Sequence, residues 1–157
     1  MSKKKKIEWR QNDLFAIPFL DKAFGIGQIL DLQMKNIVRI ALYRNKIVTL
    51  KDVEIEPLSN RENLISLVAT TREQLDYGVW HIFANKDHWI QMPDFPNEQY
   101  RENGWIGSKI YDATIMEDFI NAFHGLAFWD DWADPLYFDK MLISTSKKPS
   151  NLLFKSK

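Results

Sequence analysis

The sequence lacks cysteine altogether and has little histidine. The absence of cysteine excludes disulfide bonds, thiolate metal ligands and a cysteine nucleophile. The three histidines, His81, His88 and His124, form no H-x-x-x-H or H-E-x-x-H motif, so no zinc-binding pattern is present. We therefore expect no metal site.

Motifs for phosphate binding and hydrolysis are also missing. Gly25 and Gly27 form a G-x-G pair, but the third glycine of a dinucleotide-binding fingerprint is absent and the pair lies inside a predicted strand. The sequence contains neither a G-x-S-x-G elbow nor a Walker loop. We expect no cofactor and no enzymatic activity.

No apolar stretch approaches the roughly 18–20 residues that span a bilayer. Residues 3–6 are lysines, as in the basic part of a signal peptide, but residues 7–13 are polar where a signal peptide requires an apolar run. We therefore expect a cytoplasmic protein with no membrane partner. A chain of 157 residues fits one domain, which we place at residues 12–157, after a flexible basic leader at residues 1–11.

The formal net charge of zero hides an uneven distribution. Residues 94–139 contain ten acidic and two basic residues, a local balance of −8, so the rest of the chain carries +8. This acidic segment is rich in tryptophan and phenylalanine, which allows it to fold. It is either a solvated acidic face or a surface that steers a basic partner into contact.

Short runs of alternating apolar and polar residues dominate the first half of the chain. Such runs are typical of antiparallel strands with one buried face. We predict an α+β fold with a curved antiparallel sheet of five to seven short strands, followed by two C-terminal helices, and leave open whether the sheet forms a small, partly closed barrel. The predicted strands are 13–18, 23–30, 36–43, 47–50, 52–56, 64–70 and 79–83.

The first C-terminal helix is predicted at residues 115–124. Thr114 and Glu117 have the spacing of a capping box, with Thr114 as the N-cap. Gly125 supplies the left-handed residue that ends the helix. His124, in the last turn, is predicted to carry a positive charge that stabilises the exposed carbonyl groups.

The second C-terminal helix is predicted to begin at Asp134, which would act as the N-cap before Pro135 at the first helical position. It would end near residues 141–143. The remaining chain beyond Ser144 is predicted to be a loop. Neither internal repeats nor low-complexity segments are present.

The most unusual tract of the sequence is Phe-Trp-Asp-Asp-Trp at residues 128–132. One interpretation is that the aromatic rings attach the helices to the sheet. The other is a surface that faces a partner, because tryptophan and tyrosine dominate the energetics of protein interfaces. The candidate partner-binding residues are Trp129, Asp130, Asp131, Trp132, Glu117 and Asp118. A general acid–base pair drawn from the nearby aspartates is a weaker interpretation.

Two segments resemble one bacterial protein family. Residues 13–18, Asp-Leu-Phe-Ala-Ile-Pro, followed by residues 23–30, Ala-Phe-Gly-Ile-Gly-Gln-Ile-Leu, resemble the beginning of the immunity protein 26 family of polymorphic toxin systems. Residues 119–126, Trp129-Asp130-Asp131 and residues 134–139 resemble its C-terminal part. The chain differs from the family pattern at Asn12, where glycine is frequent, and before Trp129, where proline is common.

This resemblance implies a single immunity-like domain that neutralises a cognate toxin protein by binding it in the cytoplasm. It implies neither a cofactor nor catalytic residues. Two alternatives from other classes remain: a small β-barrel module that binds nucleic acid through a lysine-rich leader, and a hydrolase with a carboxylate site. We expect a toxin with a basic surface as the partner and consider nucleic acid the less favoured ligand.

Overall fold

A computed structural model describes residues 5–58 and 60–155 of the chain. Six strands form one sheet in the order β5-β1-β2-β3-β4-β6, and all neighbours are antiparallel except β4 and β6. The strands are β1 (Asp13–Pro18), β2 (Phe24–Met34), β3 (Ile37–Ile47), β4 (Leu64–Thr71), β5 (His81–Asn85) and β6 (Ile110–Tyr111). The predicted α+β class with a mainly antiparallel sheet is confirmed, and the sheet stays open.

The strand predictions were wrong between residues 44 and 56. Residues 44–46 form no turn, because Lys46 and Ile47 pair with Gly25 and Phe24 of the long strand β2. Residues 47–50 and 52–56 do not make two further strands, and a 3₁₀ turn occupies Leu50–Asp52 instead. The apolar side chains that produced the alternating pattern here are partly in solvent, with Val48 77% exposed.

Two helices accompany the sheet: the single-turn α1 (Glu73–Asp76) and the longer α2 (Ala113–Phe123). Asp112 occupies the N-cap position of α2, and the first helical N–H group, that of Ala113, donates to Thr71 Oγ1 at 3.0 Å. The predicted capping box was therefore wrong, because β4 supplies the acceptor. Gly125 adopts φ +76° after the last turn, which confirms the predicted stop.

The second predicted helix is replaced by turns and a 3₁₀ segment at Asp139–Met141. Asp134 Oδ1 accepts the N–H of Leu136 at 2.9 Å, as an N-cap does. The chain then turns away, because Ile143 N–H donates to the Ile65 carbonyl of β4 at 2.9 Å. This contact lies at the predicted end of the helix, and Leu142 before it is extended. Across the described ranges, no helix is long and apolar enough to cross a membrane.

Each face of the sheet has its own hydrophobic core. Helix α2 and the chain that follows it cover one face, where Phe15, Ile29 and Ile40 meet Phe119. Loops on either side of β4 and β5 cover the other face, where Tyr43 meets Leu58 and Phe95. The site described below lies on the side of the sheet that carries α2.

Arg39 of β3 is fully buried on the loop-covered face. Its guanidinium makes two 2.6 Å hydrogen bonds to Asp31 and one of 2.7 Å to Glu98. The rings of Phe95 and Trp105 lie 5.0 and 5.2 Å from its Cζ. Because a buried charge requires paired and hydrogen-bonded partners, these contacts attach residues 95–105 to the sheet.

Residues of the predicted leader make defined contacts with the domain, among them Ile7 and Trp9. Ile7 N–H donates to the Asp76 carbonyl at 2.6 Å, and Trp9 Nε1 donates to the Asp76 carboxylate at 2.9 Å. The Arg72 guanidinium lies over the Trp9 ring at 4.6 Å. Lys3 and Lys4 of the leader lie outside the described residues.

Candidate protein-binding surface

Trp129 is a core residue. Its side chain is fully buried, and its Nε1 donates to Asp139 at 2.6 Å. Its ring centroid lies 5.6 Å from that of Phe119 in α2 and 5.4 Å from that of Phe138. Since the indole holds the chain after α2 against the helix, Trp129 does not belong to the accessible candidate surface.

Asp130 and Asp131 both contact Lys155. The carboxylate of Asp130 accepts the main-chain N–H of Lys155 at 2.6 Å, and that of Asp131 contacts Lys155 Nζ at 2.8 Å. The adjacent Trp129 N–H donates to the Leu153 carbonyl at 2.8 Å. The end of the described chain, predicted to be a loop, thus lies alongside this tract in a short parallel bridge to Phe128.

A cleft of about 230 Å³ opens between α2 and this tract. We call it the acidic cleft, because two carboxylates lie among apolar side chains there. The Phe128 side chain is 45% exposed, and the Asp131 side chain is 52% exposed. The cleft is lined by Asp118, Ala127, Phe128, Asp131, Trp132 and Phe138.

The two carboxylates of the acidic cleft repel each other. Partial burial raises the pKa of Asp118, and the negative charge of Asp131 raises it further. Asp118 makes no ion pair within the described part of the chain, whereas Asp131 is paired with Lys155. A positively charged group placed between the carboxylates would relieve this repulsion, so the cleft favours a cation.

Trp132 forms one wall of the acidic cleft. Its ring lies 5.0 Å from that of Tyr137 and 5.7 Å from that of Phe138, measured between centroids. The ring is therefore held by packing while remaining only partly buried. A fixed aromatic ring beside a carboxylate suits the aliphatic stem and charged end of a lysine or arginine.

Glu117 faces away from the cleft, although it is next to Asp118 in the sequence. Its Oε2 accepts a hydrogen bond from Gln74 Nε2 at 2.8 Å and another from Trp80 Nε1 at 3.0 Å. These bonds connect α2 to the chain between β4 and β5. Glu117 is thus a structural residue and is removed from the candidate surface.

Of the six candidate residues, the structure brings Asp118, Asp131 and Trp132 together in one cleft. Asp130 lies beside it and holds the C-terminal segment. Sequence reasoning missed Phe128 and Lys155 as members of the site. The two adjacent aromatic residues before the aspartates could have indicated Phe128. No local signal places Lys155 there, because Lys155 contacts Asp131 from 24 residues further along the chain.

The histidines and carboxylates do not assemble into a metal site in the part of the chain that the structure describes. His124 packs against Phe19 with a centroid distance of 4.9 Å. Burial, together with the nearby Lys46 charge, lowers its pKa to about 4. The prediction that His124 is a cation at the end of α2 was wrong, since the imidazole is neutral at pH 7.

The acidic cleft combines exposed aromatic surface with two carboxylates that favour a cation. In comparisons with known proteins, no family model, no curated protein and no solved structure matches the chain.

Proposed function

We propose that this chain is a cytoplasmic immunity protein that neutralises a toxin by binding it through the acidic cleft. The observation that carries the proposal is the exposed Phe128 ring beside Asp118 and Asp131 in a preformed cleft. The resemblance to an immunity-protein family, which is carried by residues 13–18, 23–30, 119–126, 129–131 and 134–139, supports the same function. The mechanism is blockade of the toxin's working surface rather than a chemical reaction.

The mixture of groups in the acidic cleft suits a protein partner. Binding energy at interfaces concentrates in a few aromatic and charged residues that become fully desolvated. Phe128 and Trp132 offer apolar area for such an anchor, and the carboxylates offer orientation and partner selection. Opposite charge on the partner also accelerates the encounter.

Lys155 indicates how a partner's cation would be held. Its ammonium group already contacts Asp131 at 2.8 Å, but its side chain remains 65% exposed. An exposed pair of this kind contributes little to stability, so a lysine or arginine of a partner can replace or join it. Asp118, which makes no ion pair within residues 5–58 and 60–155, is the second point of attachment.

A basic toxin surface is physically reasonable. Toxins that cleave nucleic acids need positive charge to bind phosphate, and an inhibitor that covers such a surface must present negative charge. The acidic cleft meets this requirement with Asp118 and Asp131. The proposal is therefore most specific for a toxin whose active surface is basic.

One observation favours nucleic-acid binding as a second candidate function. The Arg61 guanidinium lies 4.5 Å from the centre of the Trp89 ring. Both residues line an open hollow of about 490 Å³ together with Lys147. Aromatic rings beside basic groups bind single-stranded nucleic acid by stacking and charge, so the experiment below must distinguish the two functions.

The test is capture of the partner from the native host with three tagged proteins at moderate salt. They are the wild type, an Asp118→Lys/Asp131→Lys variant and a Glu54→Lys/Glu102→Lys control with the same charge change. Glu54 and Glu102 are exposed residues on the loops that cover the other face of the sheet. Each captured protein is then expressed alone, and with the wild-type chain, in a neutral bacterial strain.

We expect one protein to be captured by the wild type and the control but not by the cleft variant. That protein should arrest growth when expressed alone, and co-expression of the wild-type chain should restore growth. Recovery of nucleic acid in place of a protein would support the second candidate function. Equal capture by all three proteins would exclude the acidic cleft as the binding surface.

A further inference from the structure

The outer edge of β4 has a gap in its hydrogen bonding. At one end the Ile65 carbonyl accepts the N–H of Ile143, and at the other end Ala69 pairs with Ile110 of β6. Leu67 lies between these positions. Main-chain groups of alternate residues point to the same edge of a strand, and β4 pairs without a shift from Ser66 to Thr71. The N–H and C=O of Leu67 therefore face outward with those of Ala69, between the two contacts.

A groove of about 320 Å³ lies over this gap. It is lined by Leu67 and Ala69 of β4, by Tyr100 and by Met141. The gap is thus flanked by chain on both sides but open to solvent in the middle. Its volume suits a short segment of chain rather than a folded domain.

The groove is basic, although it is surrounded by an acidic part of the sequence. Lys109 and Lys140 line it, and its lining contains no carboxylate. The Lys140 ammonium group contacts the Asp134 carboxylate at 2.5 Å. Lys109 is exposed, and its ammonium group has no ion-pair partner within the described residues.

A second hollow, of about 490 Å³, shares Lys109, Tyr111 and Lys140 with the groove and is also lined by Asp134, the carboxylate that pairs with Lys140. Ser108 lines this hollow, and its hydroxyl is buried without a hydrogen-bond partner in the described chain.

We propose that this groove binds an extended segment of a partner protein that carries an acidic side chain. The segment adds to the edge of β4 by exchanging main-chain hydrogen bonds with Leu67. Its carboxylate reaches Lys109, with Lys140 close by. The main-chain bonds supply affinity, and the lysines select an acidic sequence over a basic one. This site is separate from the acidic cleft and independent of the function proposed for it.

The test uses nuclear magnetic resonance of the full-length, ¹⁵N-labelled chain. The probe is the N-acetylated, C-amidated peptide Thr-Glu-Val-Glu-Thr, and its counterpart Thr-Lys-Val-Lys-Thr is the control ligand. The variant is Lys109→Glu, which breaks no ion pair of the described chain. Lys35→Glu, at an exposed lysine in the turn between β2 and β3, is the matched control.

We expect the acidic peptide to shift the Leu67 amide resonance saturably and to slow its hydrogen exchange. Lys109→Glu should weaken this binding by about tenfold or more at low salt, whereas Lys35→Glu should not. No shift at Leu67 with millimolar acidic peptide, or an equal shift with the lysine peptide, would overturn the proposal. A Leu67 shift caused by raising the protein concentration alone would overturn it too, because a second copy would then cover the gap.

Discussion

His124 is an example of a residue whose environment reverses the expectation from its sequence position. At the end of α2, a charged histidine would be favoured by the helix carbonyls. The fold instead packs the ring against Phe19 and near Lys46, and its pKa falls to about 4. The position in the helix was predictable, but the neighbours were not, because Phe19 and Lys46 come from distant parts of the chain.

The buried His124 should make stability dependent on pH. Between pH 6.5 and about 4 the unfolded chain binds a proton at this histidine and the folded chain does not, so stability falls as the pH falls. The slope from one such group is at most about 1.4 kcal/mol per pH unit. Urea unfolding of His124→Phe across this range should show a shallower slope than the wild type.

The control for this experiment is His81→Phe, at an exposed histidine of β5. It removes one histidine without changing the environment of His124, so its slope should match that of the wild type. If His124→Phe and the wild type lose stability equally between pH 6.5 and 4, the imidazole is not held neutral by burial.

Arg39 should be essential for stability because its charge is buried and fully paired. Lysine at this position keeps the charge but cannot make the two parallel bonds to Asp31. Hydrogen bonds to a charged group contribute about 1.5–3 kcal/mol each, and we expect Arg39→Lys, which loses at least one of them, to lower the free energy of unfolding by about 3 kcal/mol. Arg10→Lys, at a side chain that is 78% exposed, should cost under about 0.5 kcal/mol. A loss below about 1 kcal/mol for Arg39→Lys in urea titrations would contradict this account.

Among the secondary-structure elements, the spacing of apolar residues gave correct predictions where a strand or helix packs one face against the core. The predicted strand at residues 13–18 agrees with β1, and the predicted helix agrees closely with α2. The second predicted helix is reduced to turns and a 3₁₀ segment that ends where Ile143 bonds to β4, a contact that no nearby residue encodes. The capping box failed for the same reason, since Thr71 supplies the acceptor at the start of α2.

Substitutions can distinguish the observed role of Glu117, as the acceptor of two side-chain hydrogen bonds, from its predicted role in a capping box. Glu117→Ala leaves the buried Trp80 Nε1 and Gln74 Nε2 without their acceptor. Hydrogen bonds to a charged group contribute about 1.5–3 kcal/mol each. Gln74 is only half-buried and can bond to water instead, so we expect the lost Trp80 bond to lower the free energy of unfolding by about 2 kcal/mol. Thr114 is exposed and does not act as the cap, so Thr114→Ala should cost less than about 0.5 kcal/mol. If thermal or urea unfolding shows a larger loss of stability for Thr114→Ala than for Glu117→Ala, the result would contradict this role and support the capping box.

Across the whole molecule, the acidic side chains of residues 94–139 do not form one continuous surface. The fold pairs Glu98 with Arg39 and Asp134 with Lys140. Asp139 lies between Trp129 and Lys148. The sequence could therefore predict an acidic region with aromatic residues, but not which carboxylates stay accessible, since pairing depends on side chains from other segments.

Partner-binding by the acidic cleft is the central claim, and the salt dependence of association tests it most directly. The measurement is the association rate of the captured partner with the wild type, Asp118→Lys/Asp131→Lys and Glu54→Lys/Glu102→Lys from low to high sodium chloride. We predict that the cleft variant associates at least about tenfold more slowly than the control at low salt and that this difference shrinks as salt screens the charges. Equal rates for the two variants at every salt concentration would contradict the account.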